Sequence, residues 1–225
     1  MATEFVNKLR SAFPAGTDRP VVQSLAAGVA LADDVRRNTP WLMNLVGDDL
    51  RGNLRRAAAM WRFSQDCKNG VLPFKAQEVA NTTGSSHLLR IVAGEFEAHI
   101  VRTESEAGFP KDAPIRQDKR LSNEADLFIG DGKLKPLDEA GVENLYAWLS
   151  FGADLFGTLS HVCWCMPAAE QREFLGRINI LREASLFAPE PAPEPPPPNP
   201  ADQLEFRREI ERMLDERGGV EHNNK

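Results

Sequence analysis

The sequence predicts an α+β protein, mainly helical, with a small antiparallel β-sheet inserted in the middle and a C-terminal helix after a Pro-rich linker. Three observations carry this reading. Apolar residues recur at helical spacing through residues 1–70 and again through 138–183. Two runs rich in β-branched and apolar residues meet at Ala93-Gly94, as in a hairpin. Eight of the 16 prolines fall within 189–200, a polyproline-II stretch that cannot bury a core. The expected organisation is one α+β domain over 1–187, a linker over 188–200, an amphipathic helix over 201–217 and a polar tail over 218–225.

Each element has its own pattern. Phe5, Leu9 and Phe13 fall at i, i+4, i+8 before Pro14-Ala15-Gly16 stops the first helix. From Pro20 to about Arg37, Val21, Leu25, Val29 and Ala32 form a second stripe. Leu50, Leu54, Ala57, Ala58, Trp61 and Phe63 mark a third helix, ending at Lys68-Asn69-Gly70 with Gly70 as its C′ residue. The strands are expected over Ser86–Val92 and Glu95–Thr103, with Phe96, Ala98 and Ile100 on one face and Glu95, Glu97 and His99 on the other. A polar loop is expected over Glu104–Asn123, and a short strand over Ala125–Ile129 before Gly130-Asp131-Gly132.

Leu145, Leu149, Ala153, Phe156 and Leu159 then support a long helix starting at Asp138-Glu139 and interrupted by Pro167. Glu170 to about Glu183 reads as the last core helix, with Phe174, Ile178 and Leu181 inward. After the linker, Leu204, Ile210, Met213 and Leu214 form a narrow apolar face suited to docking on a partner.

Composition bounds the function. A hydrophobic share of 42% and a charged share of 27% over 225 residues suit a packed domain. The net charge is −6 and concentrates in the C-terminal third, which would repel a phosphate backbone, so direct nucleic-acid binding is not expected. Three cysteines, an odd number, and a first segment carrying Glu4, Lys8 and Arg10 without an apolar run point to a reducing cytoplasm, with no membrane span and no secretory leader.

Chemistry-bearing patterns are sparse. His161, Cys163 and Cys165, joined with Cys67, would make a metal site only if they converged, and on a helix His161 and Cys165 share a face while Cys163 does not. Buried structural cysteines are the plainer reading, and no metal or cofactor is expected. Glu95-Phe96-Glu97 sets two carboxylates on one strand face, the arrangement mono-ADP-ribosyltransferases use. Its upstream polar run, Asn81 to Ser86, is too close and is broken by Gly84. Asp118-Lys119-Arg120 and Asp126 could be forced into a nuclease pattern but read as an ordinary charged loop. Arg51, Arg55, Arg56 and Arg62 on the third helix could meet phosphate or an acidic partner, or form a solvated helix face.

The last candidate lies at the domain's end, Glu183-Ala184-Ser185-Leu186-Phe187. It resembles the short peptide, ideally Gln-Leu-Ser/Asp-Leu-Phe, by which bacterial proteins dock on the replicative β sliding clamp. Ser185, Leu186 and Phe187 match, whereas Glu183 and Ala184 depart. A second partial match is Gln203-Leu204-Glu205-Phe206, where Leu204 is expected to pack on a partner. With this peptide the chain is similar to the clamp-targeting toxin of the bacterial Soc toxin–antitoxin system. The resemblance implies a toxin that inhibits DNA replication by occupying the clamp, and an antitoxin or protease adaptor as a second partner. Leu186 and Phe187 would fill the apolar subsite, with Ser185 at the turn and Glu183 at the polar subsite. The alternatives are an enzymatic toxin, of nuclease or ADP-ribosyltransferase type with Glu95 and Glu97 in its site, and a non-enzymatic adaptor docking through its C-terminal helix.

Overall fold

The computed structural model describes residues 2–80, 87–111, 113–123, 145–186, 204–206, 208, 209 and 212; at 2, 185 and 186 it describes the backbone alone. Three helices come first: α1 (Ala2–Ala12), α2 (Asp18–Arg37) and α3 (Leu45–Lys68). Of the predicted stripes, Leu9, Phe13, Val21, Leu25, Val29 and Ala32 are in the core with Ala58 and Phe63 of the third, whereas Phe5, Leu50, Leu54, Ala57 and Trp61 are partly buried. α3 starts where the Asn44 side chain accepts a hydrogen bond from the Gly47 amide at 3.0 Å. It ends, as predicted, on Gly70 with φ +73°. α2 and α3 cross closely at Gly28, where a Cβ would stand 2.6 Å from the Ala59 Cα.

Three strands follow, β1 (Lys75–Ala80), β2 (His87–Ala93) and β3 (Phe96–Arg102). The expected hairpin is β2–β3, turning at Gly94 with φ +56°. Then come α4 (Pro114–Leu121), β4 (Leu145–Ala153), β5 (Leu159–Pro167), β6 (Phe174–Asn179) and α5 (Ile180–Leu186). All six strands join one sheet in the order β1-β2-β3-β4-β5-β6, with β3–β4 parallel and every other pair antiparallel.

The α+β class holds, but the sheet is six-stranded and mixed rather than small and antiparallel. Two predicted helices are corrected. The helix expected from Asp138 to Pro167 is, over its described part, β4, its turn and β5. The 170–183 helix is β6 followed by the short α5. β1 and α4 lie where no element was expected. The predicted strand Ala125–Ile129 lies outside the described residues, as do the linker and residues 213–225.

The sheet has two dissimilar faces. On one, Ile91, Phe96, Ala98, Leu149, Trp164 and Ile178 pack against α1–α3 in the main core. Phe13 stacks on Trp164 with ring centroids 3.8 Å apart. On the other, Tyr146, Trp148, Cys163 and Cys165 form a second cluster under Phe109. Buried polar groups join them there: Glu97, His99, Ser150 and His161. Asn123, just past α4, ties this side together. Its amide bonds Tyr146 N and O at 2.8 and 2.9 Å and the Pro167 carbonyl at 2.7 Å. It thereby supplies a polar partner beside a proline that has no N–H to give.

Candidate functional site

A cleft of about 1300 Å³ lies between the first half of α3, the end of β3 and the loop into α4. Arginines dominate its charged lining, and their states differ. Arg55 is buried and fully engaged: Nε and Nη2 donate to Asp33 at 2.8 and 2.6 Å, and Nη1 donates to the Asp154 carbonyl at 2.6 Å. It clamps the β4–β5 hairpin to α3. Arg51 is paired with Asp48. Arg62, outside the cleft, bonds Asp66 at 3.1 Å.

Arg56 is different. It has no acidic partner among the described residues, and burial together with the charge of Arg116 pushes its guanidinium below its ordinary value. Arg102 also lacks an acidic partner among the described residues. Its guanidinium lies over Gly52, so close that a Cβ there would stand 2.6 Å from Nη1. Gly52 and Arg56 are i, i+4 on α3, so these two cations share one flank of the helix. Arg116, on α4, donates to the Lys111 carbonyl in the loop before that helix. The arginine cluster noted in the sequence therefore divides into Arg51, Arg55 and Arg62, paired with aspartates, and Arg56, which lines the cleft without an acidic partner among the described residues.

Beside the cleft lies an apolar corner. Trp41, Met43, Leu45 and Val46, between α2 and α3, are exposed, Leu45 by 84%. At the tip of the β4–β5 hairpin Phe156 is 93% exposed and Leu155 78%. Leu155 lines the cleft, as does Asp48, one turn on from Leu45. Monomeric proteins seldom display large side chains in such a group without a partner.

The Glu95/Glu97 pair does not form. Glu95 is in the exposed turn, while Glu97 is buried on β3. Lys119 Nζ and Arg90 Nε each lie 2.9 Å from Glu97 Oε2, and His99 Nε2 lies 3.2 Å from Oε1. Burial alone would raise this carboxyl, but its contacts with His99 and Lys119 outweigh that and hold it at about 2. His99 Nδ1 is 2.8 Å from the Tyr146 hydroxyl, and burial keeps that phenol well above its ordinary value. The result is a closed buried network rather than an open carboxylate pair.

His161, Cys163 and Cys165 lie on a strand, not a helix, and so share one face. His161 Nε2 is 2.8 Å from Thr103 Oγ1, while Cys163 and Cys165 sit in the second cluster. Cys67 is on α3, its thiol pushed up to about 12 by burial and by Asp66. Among the described residues no three His, Cys, Asp or Glu side chains gather as a metal site. Asp118 and Arg120 belong to α4, whose Arg120 is buried with its guanidinium 5.3 Å from the Phe109 ring.

Of the clamp-like peptide, Glu183 is ion-paired with Arg10 of α1. Ser185 and Leu186 have helical backbone in α5, and Phe187 lies outside the described residues. Leu204, expected to pack on a partner, is 56% exposed. Phe206, two residues on, is instead the buried one, in a cluster with Leu31, Ala32, Val35 and Ala58. Ile210, Met213 and Leu214 lie outside the described residues. No family model matches the chain, and neither a curated protein nor a solved structure is significantly similar to it. A functional reading therefore rests on the chemistry of its surfaces.

Proposed function

We propose that this chain acts by docking on another protein through the apolar corner of Leu45, Val46, Leu155 and Phe156. The observation that carries this is Phe156, almost wholly exposed at a hairpin tip that Arg55 holds rigidly against α3. A rigid, solvent-facing aromatic is the kind of anchor that contributes most at interfaces. Burying Leu45 and Phe156 in a partner would contribute about 1.5–3 kcal/mol each before ordering is counted. Leu204, also exposed, would suit the expected docking through the C-terminal helix.

In its narrower form the partner is the β sliding clamp, and the chain is a cytoplasmic bacterial toxin that inhibits DNA replication, answered by a cognate antitoxin or protease adaptor. The contact would then be Ser185, Leu186 and Phe187. That form has the sequence in its favour, since the peptide leads from α5 directly into a Pro-rich stretch. Glu183, committed to Arg10, would have to be released to reach the polar subsite.

Binding to purified β clamp tests both forms together. Loss of binding on Leu186→Ala/Phe187→Ala alone supports the narrower form. Loss on Leu45→Ser/Phe156→Ser alone places the contact at the corner. No binding by the wild-type chain sinks the clamp as partner. The corner would then be tested by self-association in sedimentation velocity, where a monomer unaffected by Leu45→Ser/Phe156→Ser counts against it.

A further inference from the structure

We propose that the cleft beside α3 binds a compact oxyanion of the phosphate-ester class, gripped by Arg56 and Arg102 with Arg116 alongside. The inference is independent of which protein docks at the corner. Two cations without acidic partners among the described residues share one flank of α3 within a concave site. A third, Arg116, is near enough to Arg56 to depress it. Arg56 is partly buried and Arg102 exposed, and a cation taken partly out of water without a counter-charge favours an anion beside it. Guanidinium forks match phosphate oxygens in pairs, so this set suits a phosphate better than a single carboxylate.

Gly52 has a part in the arrangement. Any side chain there would drive the Arg102 guanidinium off the helix, so the glycine is what lets Arg102 lie against α3 one turn from Arg56. Arg51 and Arg55 are already neutralised by Asp48 and Asp33 and add little. The cleft also carries Asp49 and Glu104, both exposed. With the chain's net charge of −6 they oppose a long polyanion such as a nucleic-acid strand, which leaves a single phosphate group as the fitting ligand. The cleft is far larger than phosphate and includes Leu88, Phe109 and Ile115, so the group would be carried by an organic body.

Titration calorimetry of the full chain with inorganic phosphate tests the site. The wild-type chain is expected to bind saturably, and Arg56→Gln and Arg102→Gln are each expected to weaken binding by about tenfold or more. Gly52→Ala is expected to weaken it too while raising the melting temperature, which separates loss of the site from loss of the fold. Arg51→Gln, whose guanidinium is already spoken for, is expected to leave affinity nearly unchanged. Absence of saturable binding, equal affinity in all variants, or an Arg51→Gln loss as large as that of Arg56→Gln would overturn the proposal. Free phosphoserine and adenosine monophosphate, titrated next, distinguish a modified side chain from a nucleotide as the source of the phosphate.

Discussion

The two faces of the sheet are held by different physics. The face under α1–α3 is dry and apolar, with Phe13 stacked on Trp164 and Phe74 turned against both. The opposite face mixes aromatic rings with a buried carboxylate, two histidines and a hydroxyl chain. Burial of carbon surface is indifferent to pH and to which partner is removed first. A buried polar network is not, because each member left alone keeps its desolvation penalty. The first face therefore sets how stable the protein is, and the second sets how that stability responds to conditions.

The largest effect is expected where the dry face is emptied. Trp164→Ala removes a fully buried ring from between Phe13 and Phe74 and is expected to destabilise by about 3–5 kcal/mol, equally at pH 7 and pH 4. Urea denaturation at both pH values checks this. A strongly pH-dependent loss would mean that the two faces are energetically coupled.

Glu97→Gln is the matching cut on the polar face. It leaves Lys119 and Arg90 without their shared carboxylate and is expected to destabilise by roughly 2–3 kcal/mol at neutral pH, less than a fully buried pair because both cations are partly exposed. Glu97 titrates at about 2 in the folded chain against an ordinary value of 4.5. Its contribution is thus fully present above pH 4.5 and disappears as pH falls from there toward 2. The wild-type chain is expected to lose stability through that window, and Glu97→Gln to show a shallower slope across it. Identical slopes would remove Glu97 as the source of acid sensitivity.

The same contrast explains what could be read from the sequence. α1, α2, α3 and the β2–β3 hairpin each bury one side, so their apolar residues keep a helical or alternating period. β4 is buried from Leu145 through Gly152 on both sides, which erases alternation and leaves an apolar run that also fits a helix. β1, an edge strand mostly exposed, has too few apolar residues to announce itself. α4 is eight residues long with Arg120 as its buried member, so it reads as loop. In the cleft the arginines were visible, but their roles were not. Arg55 is decided by Asp33 and the hairpin carbonyl of Asp154, and Arg56 by Arg116, all distant in sequence. The apolar corner was hidden because Phe156 and Leu155 were counted into a helix that is in fact a hairpin.

The smallest and most discriminating change is Tyr146→Phe, because it keeps the ring and removes one oxygen. With the phenol, kept neutral by burial, as donor to His99 Nδ1 at 2.8 Å, the ring's N–H would stand at Nε2, 3.2 Å from Glu97 Oε1. Tyrosine, histidine and glutamate would then be linked in one direction. Without the hydroxyl, His99 Nδ1 becomes a buried acceptor with nothing to accept, an expected loss of about 1 kcal/mol. If the chain acts as a unit, the loss falls when Glu97 is already Gln, since the amide can turn and no longer dictates which nitrogen carries the proton. A double-mutant cycle measures that coupling, and nitrogen-15 NMR of His99 reports the tautomer directly. Strict additivity with an unchanged tautomer would reduce the polar face to independent contacts, and its difference from the dry face would then lie in composition alone.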